Sequence, residues 1–67
     1  MDFKLWIKIY QNEDTPIGDL AEDICRDPAF PISNNYEDHY DYLQSNGACK
    51  DALIAFKDAW KMYSKMA

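Results

Sequence analysis

Between Cys49 and Tyr63 the apolar residues recur at steps of three and four: Cys49, Ala52, Leu53, Phe56, Ala59, Trp60 and Tyr63. At about 100° per residue these positions share one arc of a helix, roughly a third of the way round. Phe56, Trp60 and Tyr63 can each bury on the order of 150–250 Å². No other segment offers as much apolar area on one face, so the other helices are expected to pack against this one. The spacing predicts an all-α chain, a compact four-helix bundle organised around a long C-terminal helix. A length of 67 residues leaves room for a single domain, 1–67, with a core that is small for its surface. Three Phe, two Trp and five Tyr offset this, because each brings a large buried area for little backbone.

Local signals place the other three helices. Asp2 is suited to cap a first helix running to about Gln11, with Phe3, Trp6, Ile7 and Tyr10 on its inner face. Leu5 and Ile9 form a second strip on the far side, and Lys4 and Lys8 a narrow polar edge. Thr15 before Pro16 reads as an N-cap with proline in the first turn, where its missing N–H costs nothing. The second helix then runs to about Asp27 and stops because Pro28 disfavours helical geometry at the residue before it. Ile17, Leu20, Ala21, Ile24 and Cys25 face inward, and Arg26 can pair with Glu22 or Asp23. Gly18 weakens the first turn by about 1 kcal/mol relative to alanine. Phe30 is expected to plug the stiff connector Pro28–Pro31. Asn34 and Glu37 have the spacing of a capping box for a third helix to about Ser45, with Tyr36, His39, Tyr40 and Leu43 inside. Gly47 suits the left-handed position that ends it. The expected core is Trp6, Tyr10, Leu20, Ile24, Phe30, Tyr36, Leu43, Phe56 and Trp60.

Three stretches, FKLWIKIY, FPISNNYEDHYDYL and AFKDAWKMY, resemble the YozE-like family of small bacterial proteins with a sterile-alpha-motif-like (SAM-like) fold. The matching positions are Phe3, Trp6, Ile7 and Tyr10, then Phe30, Pro31, Tyr36, Tyr42 and Leu43, then Phe56, Ala59, Trp60 and Tyr63. They span nearly the whole chain in order, so the resemblance implies a SAM-like arrangement of the four helices. His39 stands where the family usually carries an aliphatic residue. Every matching position reads as core, so the resemblance implies a fold and no mechanism.

The residues that could carry chemistry are few. His39 is the sole histidine, and general-base work would need a nucleophile or an orienting carboxylate in a cleft. A half-buried imidazole bonded to a tyrosine or carbonyl is the simpler reading. Glu13, Asp14, Asp19, Glu22, Asp23 and Asp27 form an acidic stretch, but a calcium loop counted from Asn12 puts Pro16 fifth and Ile17 sixth, where an oxygen ligand and a glycine are required. A solvated helix face is expected, with no metal and no cofactor. Cys25 and Cys49 lie on apolar sides with no CxxC spacing, and are expected to be buried free thiols in a reducing cytosol, with a single disulfide as the alternative. No segment has the length and apolarity of a signal peptide or a membrane span, so a soluble cytoplasmic protein is expected.

Charge is unevenly spread. Net charge is −5, yet Lys50, Lys57, Lys61 and Lys65 face only Asp51 and Asp58 in the last helix. The lysines line one side of that helix within roughly 80°, and Ile54 projects from the middle of the row. An acidic body with one four-lysine row argues against a general nucleic-acid binder, which needs clustered Lys and Arg. The resemblance to SAM-like bundles, which commonly work through helix faces and ends, together with the lack of a site for chemistry, implies a non-enzymatic protein-interaction module that takes a protein partner or a second copy, with no membrane and no small-molecule substrate. The alternative is a nucleic-acid-associated regulator, either a weak DNA binder or an acidic mimic that targets a DNA-binding protein. The candidate contact residues are Leu5 and Ile9 on the first helix and Lys50, Ile54, Lys57 and Lys61 on the last.

Overall fold

In the computed structural model, which describes residues 1–66, Asp2 caps the first helix through its carboxylate, which accepts from the Leu5 N–H at 2.9 Å. Helix α1 covers Phe3–Trp6 and tightens at once into a 3-10 turn over Ile7–Tyr10. The expected single α-helix to Gln11 is thus half 3-10, a common way for a helix to end. The tighter winding leaves the Tyr10 carbonyl free to accept from the Glu13 N–H at 3.0 Å, which turns the chain toward the second helix.

Helix α2 spans Pro16–Arg26, with Pro16 in the first turn and the Thr15 hydroxyl accepting from the Gly18 N–H at 3.0 Å. It stops as the proline rule requires, with Asp27 extended at φ −98° and ψ 103°. Arg26 pairs with Glu22 at 2.6 Å on an exposed face, where such a pair contributes little to stability. Gly18 is more than a weak spot in the helix. It is buried, and a Cβ there would lie 2.0 Å from the carbonyl oxygen of Glu13. Glycine is what allows the incoming turn to lie against α2.

Helix α3 spans Tyr36–Ser45, and its cap differs from the expected one. The N-cap is Asn35, whose side chain accepts from the N–H groups of Glu37 and Asp38 at 2.9 and 3.3 Å. Asn34 is used elsewhere. Its Oδ1 accepts from the Phe3 N–H at 2.9 Å, and its Nδ2 donates to the Tyr63 hydroxyl at 2.9 Å, which in turn donates to the Met1 carbonyl at 2.6 Å. The bond satisfies one of the free N–H groups at the start of α1 and ties three parts of the chain together. Gly47 ends α3 at φ +78°, with the Gly47 and Ala48 N–H groups donating back to Gln44 and Leu43 at 3.1 and 3.0 Å.

Helix α4 spans Lys50–Met66, and α1, α2 and α3 all pack on it. Phe56, Ala59 and Tyr63 are buried as the periodicity requires. At the start of the helix the buried face is shifted. Ala55 is buried while Cys49 is exposed, because Cys49 precedes the first turn and only its carbonyl takes part, accepting from the Leu53 N–H at 3.1 Å. Cys25 is half-buried, and both thiols are free.

Within the core Phe3 is fully buried and has its ring centroid within 6 Å of those of Trp6, His39, Phe56, Trp60 and Tyr63 (5.7, 5.7, 5.5, 4.9 and 5.6 Å). Trp6, Leu20, Ile24, Phe30 and Phe56 are buried as expected, and Phe30 does plug the connector. Tyr10, Tyr36, Leu43 and Trp60 are only half-buried and close the rim of the core. No helix among the described residues is long and apolar enough to cross a membrane.

Candidate interaction surfaces

Helix α1 uses one face for the core and leaves the other in solvent. Phe3, Trp6 and Ile7 are buried, so the residues between them project outward: Leu5 is 53% and Ile9 64% exposed. Lys8 stands free beside them, while the half-buried Lys4 donates from Nζ to the Phe30 carbonyl at 3.3 Å. Two further exposed residues lie beside these side chains, one next to Leu5 and one next to Ile9. Ile32, 88% exposed, shares a shallow depression with Leu5, Lys4 and Lys8. Met66, 70% exposed, shares an apolar depression with Ile9, Trp6 and Tyr63, and its sulfur accepts from the Trp6 indole N–H at 3.3 Å. Ile32 lies in an irregular loop and so belonged to no repeating pattern, whereas Met66 follows Tyr63 by three residues, in step with the apolar period of α4.

The second group of candidates lies on a different element. Lys50, Ile54, Lys57 and Lys61 are all exposed along α4. The lysine row is not continuous free charge. Lys57 places its ammonium 5.4 Å from the centroid of the Tyr40 ring, a cation–π contact. Asp51 and Asp58 stand exposed beside the row on the same helix. The fold therefore does not merge the two groups: Leu5 lies with Ile32, Ile9 lies with Met66, and Ile54 faces a groove that it shares with Ile17 and Met62.

His39 is deeper than expected, 1% exposed among Phe3, Phe30, Phe56 and Trp60. Its Nε2–H donates to the Ser33 carbonyl at 2.6 Å, which leaves Nδ1 as the unprotonated nitrogen, buried and without a hydrogen-bond partner among the described residues. Burial holds the imidazole below its ordinary pKa, outweighing the Ser33 carbonyl and the charges of Asp38 and Asp2, which act the other way. The ring braces the loop before α3 against the aromatic core.

Asp27 also leaves the solvated acidic stretch. Its two oxygens accept from the Tyr42 hydroxyl at 2.5 Å and the Ala29 N–H at 2.9 Å, which joins the end of α2 to α3. The Tyr42 bond is the main cause that lowers the Asp27 pKa, and the same bond raises that of Tyr42. The described residues contain no group of three or more His, Cys, Asp or Glu side chains placed to hold a metal ion.

Comparison with known proteins adds one finding. The family model described as the YozE SAM-like fold matches residues 3–65. No curated protein and no solved structure matches the chain.

Proposed function

The chain belongs to the YozE SAM-like fold family, and from there we propose that it is a small non-enzymatic protein-interaction module whose contact surface is the α1 ridge. The observation that carries this reading is the exposure of Leu5 and Ile9, with Ile32 beside the first and Met66 beside the second, on a chain with so small a core. Single exposed aliphatics are ordinary on protein surfaces, but a run of them bordered by lysines is the composition of a docking patch. Burying such a patch contributes roughly 25 cal/mol per Å² of apolar surface, and Lys8 at its edge adds charge selectivity. The two free thiols suit a reducing cytosol, which is where we place the protein.

The nucleic-acid alternative draws less support. The α4 lysines share their helix with Asp51 and Asp58, and Lys57 is already engaged with Tyr40. The test of the module reading is site-specific photo-crosslinking in the native host. A crosslinker at Leu5 or Ile9 should trap a discrete protein adduct, whereas one at Glu37, on the exposed side of α3, should not. Equal labelling from all three positions would remove the ridge from the proposal.

A further inference from the structure

Between the turn leading into α2 and the outer side of α4 runs an open groove of about 420 Å³. Ile17, Ile54, Ala55 and Met62 give it an apolar floor. Its rim carries three carboxylates, Glu13 on the turn and Asp51 and Asp58 on α4, and no basic residue is among those described as lining it. The two aspartates lie about 10 Å apart along the helix axis. The wall that bears Glu13 is held in place, because the Glu13 N–H donates to the Tyr10 carbonyl at 3.0 Å and the Glu13 carbonyl lies against Gly18.

An apolar trough rimmed by carboxylates is complementary to exposed apolar side chains with a cation between them, and this chain carries such a group. Leu5 on α1 and Ile9 on the 3-10 turn that follows are exposed, with the exposed Lys8 between them, while Lys4 is held by the Phe30 carbonyl and Asp2 by its cap of α1. Within one molecule the ridge and the groove share no lining residue, so a chain does not fill its own groove. We propose that the α1 ridge of one copy seats in the acid-rimmed groove of a second copy. This rests on the reading of the ridge as a docking face. Leu5 and Ile9 meet the floor at Ile54 and Met62, and Lys8 meets the carboxylates of Glu13 and Asp58. The contact is heterologous, pairing different patches, so each pair keeps one free ridge and one free groove and can close into a ring or extend. A single ridge and groove are small for an interface and the net charge of −5 opposes association, so the contact is weak and favoured by high concentration.

The test uses two variants of the full chain and sedimentation equilibrium. Leu5→Ser with Ile9→Ser removes the ridge, and Glu13→Lys with Asp58→Lys reverses the groove. All four residues are exposed. Ile54→Ser is the second groove variant if the charge pair lowers the melting temperature. Wild type at about 1 mM should show a weight-average mass above the 7.8 kDa monomer. Each double variant alone should sediment as monomer. An equimolar mixture of the two should regain association, because the intact ridge of one meets the intact groove of the other. A mixture that stays monomeric while wild type associates would overturn the proposal. Association lost in the ridge variant but kept in both groove variants would show ridge-on-ridge contact and overturn it equally. A wild type that stays monomeric also overturns it. In that case a crosslinked host protein at Leu5 or Ile9 would leave the module reading standing, and no adduct would end both.

Discussion

The carbonyl oxygen of Glu13 lies 2.0 Å from where a Cβ on Gly18 would be. Two opposing effects therefore meet at Gly18→Ala. Alanine gains about 1 kcal/mol of helix propensity over glycine, but the clash is with backbone and can be relieved only by moving the turn. Overpacking of this kind costs about 1–3 kcal/mol or more. The clash should win, so Gly18→Ala lowers the melting temperature. A melting temperature equal to or above that of wild type would show that the turn does not press on α2.

Phe3 should be more costly to truncate than Trp60. Each faces five rings, but Phe3 is fully buried while Trp60 is half-buried at the rim. Phe3→Ala is expected to cost about 3–5 kcal/mol and Trp60→Ala less than that range. For a domain with a total stability of about 5 kcal/mol, the first change approaches unfolding. Denaturant titration of both variants checks the order, and a larger loss at Trp60 would show that the rim ring contributes more than the buried one.

Much of this fold was legible from residues that act locally. Asp2, Thr15–Pro16, Pro28 and Gly47 do what their chemistry requires wherever they stand, and the structure uses each as expected. The errors came from residues whose role is set by distant partners. Asn34 and Asn35 are both capable caps, and only the proximity of Phe3 and Tyr63 diverts Asn34. Cys49 matched the apolar period of α4, yet it falls just before the first turn, where the period no longer orients side chains. On the surface, Leu5 and Ile9 are exposed as expected because their helix already had a full inner face. Ile32, Met66 and the acid-rimmed groove were missed because tertiary packing assembles them from separate segments.

His39 makes stability depend on pH. Its folded pKa lies below the unfolded value of 6.5, so the unfolded chain binds the proton more readily. Stability is complete above about pH 6.5 and falls as the pH drops from there toward the lowered folded pKa. The loss of the Asp27–Tyr42 bond belongs to a separate window, below the ordinary carboxylate value of 3.8, because the folded pKa of Asp27 is depressed. Thermal melts between pH 7.5 and 5 should therefore slope downward for wild type and be flatter for His39→Leu. Identical slopes would show that the buried imidazole is not the titrating group.

Any affinity of the α4 lysine row for nucleic acid should be weak and salt-sensitive. Lys50, Lys57, Lys61 and Lys65 can release at most about four counterions, fewer than most specific binders use. A gel shift at about 150 mM salt is expected to show no complex at micromolar protein. Sub-micromolar, sequence-dependent binding there would favour the nucleic-acid reading over the ridge.

The most direct test of the ridge as a contact surface is the double variant Leu5→Glu with Ile9→Glu, read in two ways on the same sample. Both side chains are more than half exposed, so helical circular dichroism and the melting temperature should stay close to wild type. Capture of the partner from the native host, or self-association at high concentration, should be lost. A variant that unfolds would show that Leu5 and Ile9 are core residues. A variant that folds and still captures the same partner would place the interface elsewhere on the molecule.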